Sequence, residues 1–114
     1  MSSLYKIVSR AEWSAAETSG VFQGAAIDLR DGYIHLSTAA QAPETARLHF
    51  AGREDLVLVR LSAARLGAAL RWEPSRGGEL FPHLYAPLDC ALAEAVTPIR
   101  LGPDGAPQLG ELAP

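Results

Sequence analysis

The run L-V-L-V-R-L at residues 56–61 is the most apolar stretch of the chain. It reads as a strand buried on both faces for most of its length, so other elements must pack on either side of it. A chain of 114 residues that is 48% hydrophobic suits one domain with its own core. No stretch approaches the roughly 18 apolar residues of a membrane-spanning helix. The formal charge is −3, with acids and bases mixed along the chain. That argues against a nucleic-acid backbone as the main partner but leaves room for a local basic pocket. Cys90 is the one cysteine, which excludes an intrachain disulfide and a cysteine metal cluster. Residues 1–4 lack the basic start and apolar run of a signal peptide. A cytoplasmic setting is the simplest expectation.

The elements expected around this strand come from local signals. Residues 4–8, L-Y-K-I-V, read as a strand. Ser9 and Glu12 form an S-x-x-E capping box, so Arg10–Ser19 reads as a helix closed by Gly20. Residues 23–30 read as a surface loop ending in the Asp31-Gly32 turn. A strand over 33–37 follows, with Ile34 and Leu36 on one face and His35 and Ser37 on the other. Thr38 and Gln41 resemble a second capping box, and Pro43 suits the first turn of a helix that Gly52 ends. Residues 62–70 read as a turn or short helix, 70–75 as an extended piece and 75–78 as a flexible turn. Pro82 and Pro87 assign residues 80–88 to a sheet edge or an irregular path. A last strand lies around 95–100. Residues 1–101 are thus expected to form one domain, with 102–114 as a loose Gly- and Pro-rich tail. Helices gather in the first half and strands in the second, which favours α+β over a doubly wound sheet.

Three clusters could carry chemistry. His35 and Ser37 share a strand face, and an imidazole there can hold a ribose or move protons near neutral pH. His83 and Tyr85 repeat the i, i+2 spacing between prolines that fix the backbone. Arg71, Trp72, Glu73 and Arg76 combine guanidinium forks for an anion, a ring for stacking and a carboxylate. Lys6 is expected beside His35 if the first strand pairs parallel with 33–37. For each cluster the ordinary alternative is packing or a solvated face, and His49 reads as surface or packing. The standard nucleotide loops G-x-G-x-x-G and G-x-x-x-x-G-K-[ST] and the G-x-S-x-G elbow are absent from the sequence. The three histidines lack the close spacing of a zinc site, so no metal is expected. The apolar and acidic neighbours of Cys90 are wrong for a thiolate.

Y-K-I-V, D-G-Y-I-H-L-S-T, L-R-W-E-P-S and F-P-H-L-Y-A-P-L occur in this order and spacing. By these four motifs the chain resembles a mostly bacterial family known only as domain of unknown function number nine-five-two. The resemblance covers about residues 4–100. It implies an ADP-ribosyltransferase-like fold, two small sheets clasping NAD, with two helices in the N-terminal half. RNA 2′-phosphotransferases of that fold are similar too. Their H-I-H-L-[SA] motif is matched by Y-I-H-L-S here, through His35 and Ser37. Lys6 stands where they have the histidine of H-G-T, Tyr33 replaces the first histidine of H-I-H, and their later arginine signature is not clearly matched. The resemblance implies a cleft for NAD or an ADP-ribosyl-type nucleotide and a transferase relative of the ADP-ribosyl or phosphoryl class. In that reading His35, Glu73 and His83 are catalytic, and Lys6, Ser37, Arg71, Trp72, Arg76 and Tyr85 bind the nucleotide. The alternative is a non-catalytic module binding a small ligand or a protein on the same fold. A metal-dependent hydrolase using His35 and His83 ranks below both.

Overall fold

The computed structural model describes residues 2–114; Met1, the first residue of the segment read for a leader, lies outside the described residues. In chain order the elements begin with β1 (Ser3–Ser9), α1 (Arg10–Ser19), β2 (Val21–Phe22) and α2 (Ala26–Asp31). Next come β3 (Ile34–His35), β4 (Ser37–Thr38), α3 (Ala42–His49), β5 (Leu56–Ser62) and α4 (Ala63–Leu66). The chain ends with β6 (Leu70–Pro74), β7 (Leu80–Leu84), β8 (Leu88–Asp89), β9 (Ala95–Leu101) and β10 (Pro107–Gln108). The result is a mixed α+β fold with four α-helices among the described residues, three of them ahead of β5 rather than the two expected. Every strand pairing is antiparallel.

Five strands form the main sheet in the order β10-β9-β5-β1-β4, and three form a second in the order β3-β7-β6. β2 and β8 make a separate pair. The apolar run is β5, the middle strand of the main sheet, paired with β1 along its whole length. Strand alternation explains why it is apolar on both faces. Val57, Val59 and Leu61 pack with Leu4, Val8 and the α1 residues Trp13 and Ala16. Leu56 and Leu58 join Tyr5, Ile7 and the α3 residues Ala42 and Ala46 on the other face.

Local chemistry sets the helix ends. Ser9 Oγ accepts from the Glu12 N–H at 3.1 Å, half of the expected capping box, and donates to Glu12 Oε1 at 2.8 Å in place of the backbone bond that would complete it. Gly20 closes α1 at φ 89°, a conformation glycine adopts without strain. Thr38 and Gln41 also bond reciprocally, at 3.1 and 3.2 Å, and lock the turn into α3.

Several expectations need correction. Part of the 23–30 loop is helical, because α2 starts at Ala26. No side-chain signal at Ala25 announces it; the Asp28 carboxylate reaches back to the Ala25 N–H at 2.8 Å instead. The 33–37 strand is two strands in different sheets, joined through Leu36. β1 pairs with β4, antiparallel, and not in parallel with the His35 strand. β7 is the middle strand of its sheet, although it contains Pro82. The Pro82 carbonyl accepts from the Leu36 N–H, so its missing donor falls on the side where β3 has already ended. The 102–114 segment supplies β10, and Leu109 and Leu112 pack on the α3 face of the core. Its last residues hold β1: Tyr5 Oη donates to the Ala113 carbonyl at 2.7 Å and Ser3 N–H to that of Pro114 at 3.2 Å.

Candidate functional site

The switch of sheets at Leu36 opens the site. β5 covers one edge of β1 completely, but the two-residue β4 covers only Leu4 and Tyr5 on the other. The remaining edge of β1 faces a cleft of about 440 Å³, walled by α2, β3, α3 and the turn before β7. All three histidines of the chain, His35, His49 and His83, line it. Peptide direction follows from the ladder. The Ala63 N–H bonds the Ser2 carbonyl, so the even-numbered residues of β1 point their backbone groups at β5. Tyr5 and Ile7 therefore point theirs the other way. Tyr5 meets Ser37, and the register would set Ile7 opposite His35. The His35 N–H goes instead to Asp28 Oδ1 at 3.0 Å. By alternation the Ile7 N–H and C=O point to that same edge, and Ile7 lines the cleft.

At the cleft floor Asp28 organises a buried network. Its carboxylate accepts from Lys6 Nζ at 3.0 Å on Oδ1 and 2.8 Å on Oδ2. His35 Nδ1 lies 2.6 Å from the same Oδ1. Burial alone would raise the pKa of Asp28, but the His35 hydrogen bonds and the Lys6 charge outweigh it and hold it at about 2. Burial pulls the Lys6 ammonium below its ordinary range even with Asp28 beside it. The other ring nitrogen of His35 lies 3.0 Å from Asp31 Oδ2. A carboxylate only accepts, so an imidazolium at position 35 satisfies both carboxylates, while a neutral ring held by Asp28 leaves Nε2 as a base.

His83 sits directly across the ladder from His35, with ring centroids 5.7 Å apart. Its Nδ1 lies 2.8 Å from Glu73 Oε1, which also accepts from Tyr85 Oη at 2.7 Å. The Tyr85 and His83 hydrogen bonds lower the carboxyl pKa of Glu73, and Glu73 in turn raises that of the Tyr85 phenol. Tyr33 stacks on His83 at 4.0 Å, and Arg71 lies over the Tyr85 ring at 4.9 Å. The site thus holds two carboxylate-backed imidazoles on adjacent strands, an arrangement suited to proton transfer or to orienting hydroxyls.

The sequence candidates fall into three places. Lys6, His35, Ser37, Arg76 and His83 line the cleft. Outside the lining, Glu73 backs His83 by a hydrogen bond, Tyr85 bonds that same Glu73, and Arg71 lies over the Tyr85 ring. Trp72 alternates to the other face of β6, opposite Pro82, and is exposed. His49, read as surface or packing, lies on the cleft wall. The Cys90 thiol is raised by burial and by the nearby Glu17 and Asp89 carboxylates. Among the described residues no group of three His, Cys, Asp or Glu side chains is placed to hold a metal ion. No helix there is long and apolar enough to cross a membrane. Sequence reasoning missed Asp28, Asp31, Tyr33 and Thr45. The available signal for Asp28 was D-L-R-D-G, a carboxylate one helical turn ahead of a closing glycine.

Fold and site together define a small α+β protein with a histidine-lined cleft at a free strand edge. The chain belongs to the family described as "Protein of unknown function (DUF952)", whose sequence profile matches residues 7–96. It is similar to protein CC0527 from Caulobacter crescentus. The crystal structure of that protein is 51% identical over 94% of both chains, with a TM-score of 0.92. Its solution NMR structure is 52% identical over 96% of this chain and 95% of that one, with a TM-score of 0.87. No curated protein matches the chain.

Proposed function

We propose that the cleft binds NAD or a related ADP-ribosyl-type or phosphorylated nucleoside compound on an ADP-ribosyltransferase-like scaffold. The observation that carries this is the Ile7 edge of β1, which β4 does not cover and which lines the cleft with His35. An extended residue presents its N–H and C=O on one side, which matches the acceptor and donor of a planar carboxamide such as nicotinamide. His35 and His83, a few ångströms away, supply the groups that a ribose or a leaving group needs. Transfer of an ADP-ribosyl or phosphoryl group would run through these imidazoles. Glu73 then orients His83 rather than facing an anomeric carbon, because Tyr85 and His83 already occupy it. The lone cysteine fits a cytoplasmic setting, and the net negative charge speaks against nucleic acid as partner.

A second reading, a non-catalytic module for a small ligand, is favoured by that commitment of Glu73. The test is a thermal-shift and calorimetric screen of NAD, ADP-ribose, nicotinamide and nucleosides, repeated with His35→Ala. A compound at 100 times its Kd stabilises the fold by roughly 2.7 kcal/mol. Binding that His35→Ala weakens supports the nucleotide reading, and NAD cleavage by the wild type separates enzyme from module. Absence of any shift at millimolar concentration removes the nucleotide reading.

A further inference from the structure

The chain as a whole is negative, yet the charged side chains lining the cleft are Lys6, Arg53 and Arg76 against Glu12 alone. Lys6 is neutralised by Asp28, and Glu12 is held in the Ser9 capping box at the head of α1. Glu12 keeps its charge at the head of α1, and against it stand the two arginines, neither of which has an ion pair among the described residues. Both guanidinium groups are held in place without losing their donors. Arg76 lies over the Phe81 ring at 4.8 Å and Arg53 over the Phe50 ring at 5.1 Å. Arg76 uses one N–H on Thr45 Oγ1, at 3.2 Å. The Thr45 hydroxyl also accepts from Ser37 Oγ at 3.3 Å, so its own hydrogen is left to give. Thr45 and His49 lie one helical turn apart on the same face of α3, and both line the cleft.

We infer that Arg76, Thr45, His49 and Arg53 form a phosphate subsite along the α3 wall. The inference deepens the nucleotide reading and rests on it only for what the phosphate is attached to. A phosphate oxygen set takes several N–H and O–H donors at once, and a guanidinium fork matches it in geometry as well as charge. The rings under the two arginines have already restricted them, so binding loses less side-chain entropy. The phosphate-bearing end of the ligand therefore lies at α3, and the end that reacts or is read lies at Ile7, His35 and His83.

The test compares AMP with adenosine by calorimetry at fixed ionic strength, in the wild type, Arg76→Gln and Arg53→Gln. In parallel, inorganic phosphate and acetate are titrated into nitrogen-15-labelled wild type while the Arg76 Nε–H and Thr45 amide signals are followed. AMP should bind at least about tenfold more tightly than adenosine in the wild type, as expected for a charge-assisted contact. That ratio should fall towards one in Arg76→Gln and part-way in Arg53→Gln, with adenosine affinity unchanged. Phosphate, and not acetate, should move the Arg76 and Thr45 signals. If adenosine binds as well as AMP, or the ratio survives both substitutions, the subsite falls while the nucleoside cleft stands. If phosphate moves those signals but neither AMP nor adenosine binds, the subsite stands and the nucleotide reading falls. If no phosphate compound moves them, the subsite is refuted.

Discussion

Replacing Asp28 with Asn keeps the shape of the side chain and removes its charge, and the surroundings make the effect calculable. Oδ1 accepts from Lys6, from the His35 N–H and from the His35 ring, while Oδ2 accepts from Lys6 and from the Ala25 N–H. Whichever way an Asn amide is turned, its NH₂ meets donors. The Lys6 ammonium, buried to the same degree as its partner, is left with a neutral neighbour. Breaking one side of a buried ion pair costs about 3–5 kcal/mol. A domain of this size has about 5–15 kcal/mol in total, so the variant folds only marginally. The wild type also carries a pH signature. The Asp28 pKa of about 2 lies below the ordinary aspartate value of 3.8, which corresponds to roughly 2–3 kcal/mol. Because the folded value is the lower one, this contribution is complete above about pH 4–5 and is lost as pH falls towards 2. Urea unfolding followed by circular dichroism, from pH 7 down to pH 2.5, measures both effects. Asp28→Asn should be less stable by the stated amount at pH 7 and should lack that part of the acid loss. Adding Lys6→Met to Asp28→Asn removes the orphaned charge and should restore most of the stability. A loss below about 1 kcal/mol at pH 7, the size of an ordinary substitution, would refute the reasoning, as would parallel acid profiles.

Three further outcomes are expected. Gly24 sits at φ 126°, and a Cβ there would stand 2.8 Å from the Asp28 Cβ, so Gly24→Ala should destabilise by about 1–3 kcal/mol in urea titration and shift the His35 ring signals by displacing Asp28. Glu73→Gln removes the charge that raises the Tyr85 phenol; the ultraviolet tyrosinate titration should move to lower pH, and an unchanged curve would mean that the Glu73–Tyr85 hydrogen bond is not formed in solution. Ending the chain after Leu101 strips β10, Leu109, Leu112 and the bonds to Ser3 and Tyr5, so the thermal midpoint should fall by ten degrees or more for a loss of about 2–3 kcal/mol; an unchanged midpoint would make the tail dispensable.

Local signals served the fold well wherever they were strong. The Ser9–Glu12 box, the Gly20 stop, the alternation of β1 and the doubly buried β5 are each determined by residues within a few positions of one another. Elements fixed by distant partners were not legible. α2 is six residues long with an alanine at its cap, and its start is held by a side chain three residues downstream. Pro82 marks a sheet edge by composition, but the abrupt end of β3 makes a place for it in a middle strand. The tail looks loose because its anchors are isolated leucines and two backbone carbonyls. For the site, alternation pointed to His35 and His83, and the structure sets them opposite each other. The cleft edge itself arises because β4 stops after two residues, a tertiary event with no local mark. Arg71, Glu73 and Tyr85 were grouped with the histidines on chemistry; they stand one layer behind His83, and only a three-dimensional arrangement separates lining from support.

The strand order of the main sheet also bears on how the chain is made. β1 is synthesised first, yet its longest partner is β5, where Ser9 meets Leu56 and Ser3 meets Ser62. At roughly 5–20 residues per second, a ribosome leaves L-Y-K-I-V without that partner for several seconds. Lys6, Asp28 and His35 all emerge before β5, so the floor of the cleft is available for assembly before the strand that will back it. Pairings across such separations are slow to close, because loop entropy is lost before any contact compensates. The Lys6–Asp28 contact spans only 22 residues, so it has far less chain to close than the pairing of Ser3 with Ser62 in the same strand.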